Sequence, residues 1–199
     1  MTPPLVLASA SPIRKTLIEK AAVPVVASPA RIDEESLRAS MSAEGFSPRD
    51  MADQLAEAKA QKVSGRMPDR VVLGCDQVLE HRGEALAKAP GPAELRQQLQ
   101  RLRGDTHILW SAAVLYKDGQ PLWRHVGQAR MTMADVSDQY LDSYLARNGA
   151  QLQTTVGGYM LEGEGVRLFN RIDGDYFTVL GLPLLPILRQ LARMGHLET

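Results

Sequence analysis

The sequence predicts an α/β or α+β fold built on a mixed β-sheet, and three observations carry that reading. Short apolar runs with strand character alternate with amphipathic helical segments through the first half of the chain. Two long strands joined by Asp118-Gly119 then intrude on the alternation, so part of the sheet has to be antiparallel. Pro and Gly fall at element ends, with no internal repeat, low-complexity tract or charge block, so residues 1–199 read as a single domain.

Leu5 to Ala8 form a first strand that passes through small residues into a helix, with Ser11 as N-cap, Pro12 at N1, and Leu17, Ile18 and Ala21 on its buried side. A second strand covers Val23 to Ala27 and leads to the acidic loop "RIDEES". The next helix repeats the Ser-Pro start at Ser47 and Pro48, places Met51, Leu55 and Ala58 on one face with Lys59 at its border, and stops at Gly65. "RVVLGCDQVLEHRGEAL" reads as a core strand broken at Gly74-Cys75-Asp76, followed by a hairpin turning at Arg82-Gly83. A helix from about Ala93 to Arg103 buries Leu95, Leu99 and Leu102 before Gly104. After the Asp118-Gly119 hairpin, Ser137 caps a helix over roughly Asp138 to Arg147. A second hairpin through Asp173-Gly174 precedes a Pro-started helix burying Leu184, Ile187, Leu188 and Leu191.

Composition excludes several classes. The 199 residues carry 23 Lys+Arg and 23 Asp+Glu, a formal charge of zero, so no global field draws the chain onto nucleic acid or an anionic membrane. An anion site must therefore be a local cluster. Cys75 is the sole cysteine, which permits no intramolecular disulfide, and the four histidines show no zinc-ligand spacing. With no signal-like h-region and no run of about 18 apolar residues, the chain is expected to be cytoplasmic.

Three groups of residues can do chemistry. In "LVLASASPIRK" the strand runs through Ser9 and Ser11 into a helix N-terminus, where unpaired N–H groups and the dipole suit a phosphate and Arg14 and Lys15 add cations. Asp33, Glu34, Glu35 and Asp76 offer hard oxygens to a divalent cation. The "DEE" run alone reads as a solvated loop, but Asp76 comes directly after the apolar "VVLGC", and a carboxylate carried inward needs a metal, a cation or hydrogen bonds. Lys59 and Lys88 are the third group; Lys88 lies among small residues in "ALAKAP", unusual for a merely solubilising lysine. Cys75 reads as a packed strand residue, His107 and His125 as structural residues, and Trp110 and Trp123 as core or interface.

Taken together, "LVLASASPIRK", "IDEE", "LAEAKA", "VLGCDQV", "LAKA", "LRGDTH", "VGGYMLEGEG" and "IDGDYFTVLGLPL" resemble the Maf-like nucleotide pyrophosphatase family from about residue 5 to 192. The resemblance implies a mixed-sheet α/β fold like that of inosine-triphosphate pyrophosphatases, with two lobes around a central cleft. It also implies a homodimer and metal-dependent hydrolysis of a nucleoside triphosphate to its monophosphate and pyrophosphate. Carried over, it makes Asp76 the catalytic aspartate and assigns Arg14, Lys59 and Lys88 to the catalytic machinery. Ser9, Ser11 and Arg14 are assigned to the phosphates, and Glu34 with Asp76 to a Mg²⁺ or Mn²⁺ ion. Two departures stand out: "AKA" replaces the family's "GKP", and Cys75 stands where Ala or Ser is usual.

Within the family, members acting on dTTP and UTP tend to carry Arg, Thr and Gln at three base-selecting positions, and members acting on 7-methyl-GTP carry Trp, Gln and Glu. Here the three are Ile13, Gln77 and Glu162, two of which match the second set. A carboxylate at Glu162 accepts two hydrogen bonds from the N1–H and N2–H₂ edge of guanine but faces carbonyl oxygens on uracil. Ile13 forgoes the cation–π contribution, about 1 kcal/mol, that a Trp would give a cationic base. The expectation is a 7-methyl-GTP-like substrate; the alternatives are dTTP or UTP, or a non-catalytic nucleotide-binding regulator of cell division.

Overall fold

Seven strands make one mixed sheet in the computed structural model, which describes residues 3–198, with the order β2-β1-β3-β5-β6-β7 and β4 beside the outer half of β3. β1 (Leu5–Leu7), β2 (Val25–Ala27) and the start of β3 (Val72–His81) are parallel, and α1 (Pro12–Lys20) forms the crossover between the first two. The remaining pairings are antiparallel: β4 (Glu84–Leu86) returns against β3, and β5 (Thr106–Lys117) and β6 (Gln120–Met133) form the long hairpin about Asp118-Gly119. β7 (Phe169–Asp173) closes the far edge against β6. The mixed sheet expected from the sequence is therefore present.

Helices cover the sheet unequally. α3 (Pro48–Ser64) lies on one face of the inner strands, with α2 (Glu34–Ala43) beside it. On the other face α1 and α7 (Leu184–Arg193) enclose Leu5, Leu7, Leu73, Cys75 and Leu115. A third apolar cluster gathers at the far end, where α4 (Pro92–Leu102) and α5 (Asp138–Leu152) pack on β5, β6 and the 3₁₀ turn Glu164–Leu168. The long strands thus run from an inner lobe into an outer one. Among the described residues no helix is long and apolar enough to cross a membrane.

Several local expectations need correction. The acidic "RIDEES" is not a loop: Asp33 accepts the Ser36 N–H as an N-cap, and Glu34 and Glu35 fill the dipole-favoured first turn of α2. β2 begins at Val25, while the buried Val23 belongs to the turn closing α1. β3 is not broken at Gly74-Cys75-Asp76; it pairs with β5 without interruption from Val72 to Glu80. Asp173-Gly174 does not form a hairpin, because Asp175 caps the short α6 (Tyr176–Val179) through Thr178. The helix after Ser137 continues past Arg147 to Leu152, across a kink at Gly149 where φ is 44°. On α3 the buried face contains Lys59 itself, whereas Ala58 is only half-buried.

Period-two alternation along β3 decides which of its side chains meet which helices. Val72, Gly74, Asp76 and Val78 face α3, while Leu73, Cys75 and Gln77 face the opposite helices. Gly74 is the point of closest approach. A Cβ there would stand 2.1 Å from the Ala56 carbonyl oxygen and 2.8 Å from Ala60 Cβ. We expect Gly74→Ala to cost about 2 kcal/mol in urea unfolding by pushing α3 from the sheet, and an unchanged midpoint would show that the approach is not tight.

Candidate active site

Asp76 is 4% exposed, and its charge is met on both oxygens. Lys59 Nζ donates to Oδ1 at 2.6 Å and Arg38 Nη2 to Oδ2 at 2.8 Å. Lys59 reaches the carboxylate because it lies on the buried face of α3, one turn from Ala56 and Leu55, directly over β3. The same ammonium lies 2.8 Å from Glu34 Oε1, so two carboxylates from different elements share one cation. Partial burial opposes ionisation of Glu34, but Lys59, Arg38 and Lys88 outweigh it and hold the carboxyl below the usual range.

Arg14 organises the adjoining wall. Its Nε donates to the Gly181 carbonyl at 2.8 Å, and its Nη1 to the Cys75 carbonyl at 3.0 Å and Ser9 Oγ at 3.2 Å. Ser9 Oγ also accepts the Ser11 N–H. Ser11 is the N-cap of α1 but its side chain makes no capping bond, so the first turn keeps donors free for an anion. Lys15 instead pairs with Glu19 on the surface. Lys88, exposed after β4, is held below the usual lysine range by partial desolvation and then by repulsion from Arg14, with Glu34 and Asp76 opposing. Cys75 is buried and its thiol is pushed up to about 12 by that burial, as a packed strand residue requires.

The Gln77 side chain points to the opposite face of β3 from Asp76. Its Nε2 is directed at Ser111 Oγ and the carbonyls of Thr178 and Val179 at 3.0 to 3.2 Å, so it braces α6. Ile13 and Glu162 do share a surface. Together with Tyr176, Phe177 and Leu180 they line a cavity of about 440 Å³ between α1, α6 and α7. Arg14, the next residue on α1, is not among the lining residues; it meets the segment after α6 at the Gly181 carbonyl, next to the lining Leu180.

Sequence reasoning singles out neither Arg38 nor Tyr176 and Phe177. Arg38 comes four residues after Glu34, a spacing that means something only once the segment is helical. Glu34 and Asp76, the carboxylates expected to hold a cation, converge in the structure, and Lys59 Nζ occupies the place between them. No group of three or more His, Cys, Asp or Glu ligands exists among the described residues. The two carboxylates are hard oxygen donors of the type a divalent cation takes, and in this structure both face the Lys59 ammonium.

A profile of the Maf-like protein family matches residues 4–194. The nucleoside triphosphate pyrophosphatase of Roseobacter denitrificans is 56% identical over 99% of both chains. The 7-methyl-GTP pyrophosphatase of Mesorhizobium japonicum is 48% identical over 100% of both. A solved nucleoside-triphosphatase, the dITP/XTP pyrophosphatase of Mycobacterium abscessus, has a TM-score of 0.38 at 17% identity over 67% of this chain and 76% of that one, a likeness too loose to bear on function.

The buried pairing makes Lys59→Met costly, by about 3 kcal/mol in urea unfolding, because Asp76 and Glu34 lose the ammonium they share. Removing both charges in Lys59→Met/Asp76→Asn is expected to recover most of that loss. A double variant no more stable than the single one would contradict the pairing.

Proposed function

The chain belongs to the Maf-like protein family, and from that premise we propose that it hydrolyses a nucleoside triphosphate to the monophosphate and pyrophosphate. The observation that carries the reading is Asp76, a buried carboxylate ringed by Lys59 and Arg38 and adjoining Arg14 and Lys88. Four cations against two carboxylates give a neutral chain one strongly positive cleft, as a triphosphate requires.

In this reading a water lies in line with the bond between the α-phosphorus and its bridging oxygen. Asp76 orients it and accepts its proton as the new P–O bond forms, a contribution of about 10²–10⁴ in rate. Charge gathers on the departing pyrophosphate, where Arg14, Lys59 and Lys88 stabilise it. Glu34 and Asp76 would hold Mg²⁺ or Mn²⁺, which supplies further neutralisation across the phosphate oxygens.

For the base we propose 7-methylguanine. Support comes from Glu162, at the cavity shared with Ile13, whose carboxylate suits the donor edge of guanine. Tyr176 and Phe177 line the same cavity and offer the aromatic surface that Ile13 lacks. Gln77 bears on the base through α6, which carries those two rings, as a positioning residue. A homodimer working in the cytoplasm belongs to the same reading.

The test is pyrophosphate release from 7-methyl-GTP, GTP, dTTP and UTP with Mg²⁺ or Mn²⁺. Wild type is expected to release pyrophosphate and Asp76→Ala to lose at least about 10²-fold in kcat; a triphosphate that binds without turnover by wild type would overturn the enzyme reading. Glu162→Gln is expected to lower kcat/KM on 7-methyl-GTP about tenfold and leave UTP nearly unchanged. Equal losses on both would overturn the choice of base.

A further inference from the structure

The proposed reaction meets one obstacle in the geometry: the carboxylate needed for water and metal already has a cation on each oxygen. Lys59 donates to Asp76 Oδ1 and Arg38 to Oδ2, so a cation approaching Asp76 meets a fixed positive charge on each oxygen and has to share the remaining lone pairs with it. The two partners differ in how firmly they are held. Lys59 is locked on the long helix α3 with its side chain 9% exposed. Arg38 is 21% exposed and projects from α2, where Met41 is the one buried residue. Its other hydrogen-bonding contacts are weak, Met51 Sδ at 4.0 Å and the Gln77 carbonyl at 3.5 Å. Arg38 is therefore the partner that can leave.

We infer that Arg38 and the divalent cation exclude one another on Asp76, so that Arg38 keeps the free enzyme poor in metal and yields its place only when the cation arrives with a triphosphate. This rests on the metal-dependent pyrophosphatase reading. Charge arithmetic supports it. With Arg14, Arg38, Lys59 and Lys88 facing Glu34 and Asp76, these side chains carry a surplus of two positive charges, which repels a bare divalent ion. A metal–nucleotide complex is net negative and meets no such barrier. Once phosphates enter, the Arg38 guanidinium has a better acceptor than a carboxylate it must share with Lys59. Coupling of this kind is reciprocal: whatever Arg38 costs the metal in the free enzyme, the metal costs Arg38.

Mn²⁺ binding, read from the electron paramagnetic resonance signal of the free aquo ion, separates the possibilities without relying on turnover. The full chain is compared as wild type, Arg38→Gln and Arg38→Lys, with and without the α,β-methylene analogue of GTP. Without nucleotide, Arg38→Gln is expected to bind Mn²⁺ about tenfold more tightly than wild type. Arg38→Lys keeps a charge at that place and is expected to bind as weakly as wild type, which also guards against a folding artefact in the first variant. The analogue should tighten Mn²⁺ binding in wild type and shrink the difference. Arg38→Gln binding no tighter than wild type, or a difference unaltered by the analogue, overturns the inference while leaving pyrophosphate release intact. No Mn²⁺ bound in any state, with no pyrophosphate released, instead overturns the metal-dependent reading and the inference with it.

Discussion

Asp76 lies on a central strand, opposite Ala112 of β5 and beneath α3, where an unpaired carboxylate would cost several kcal/mol to bury. Much of the inner lobe can be read as the answer to that cost. α3 comes close enough for Lys59 because Gly74, one pleat earlier on the same face, has no side chain to hold it off. α2 contributes Arg38 and Glu34 from successive turns, and so closes a four-residue network across three elements. An ionised group, two cations and a second carboxylate are thereby gathered by the same contacts that pack the helices on the sheet.

The opposite face of β3 meets a different requirement. Cys75 and Gln77 alternate with Asp76, so they point toward α1, α6 and α7. Through its carbonyl Cys75 fixes Arg14, and through its amide Gln77 fixes α6, so one strand aligns both walls of the cleft. Arg14 also grips the Gly181 carbonyl, linking the α1 N-terminus to the segment that leads into α7. Arg14 and the cavity lined by Ile13, Glu162 and Tyr176 are thus tied to neighbouring turns of the same scaffold.

The fold is legible where local chemistry dominates. Ser-Pro starts at α1 and α3, the Asp118-Gly119 turn, and the Leu95, Leu99 and Leu102 stripe of α4 each state their element directly. Errors arise where a residue has two competing local meanings. Gly74 reads as a strand breaker until α3 is known to need the space, and Asp173-Gly174 reads as a hairpin until Asp175 is seen to cap α6. The acidic run hides a helix because carboxylates look solvated by composition, although Asp33 with Ser36 is a capping pair. That misreading conceals Arg38, whose approach to Asp76 depends on the helical spacing. Asp76, Lys59 and Glu34 are nameable one by one, but their convergence is a tertiary fact. The separation of Gln77 from Asp76, by contrast, is a consequence of strand alternation alone.

The position of water attack is the most direct test of the proposed chemistry. In the proposed reaction Asp76 activates a water aimed at the α-phosphorus and the cations beside it stabilise the leaving group, so pyrophosphate departs whole. Hydrolysis in ¹⁸O-labelled water, with the isotope shift read in the ³¹P spectrum of the products, locates the attack. The expected result is label in the nucleoside monophosphate and none in the pyrophosphate. Label in pyrophosphate, or release of orthophosphate in its place, would contradict it.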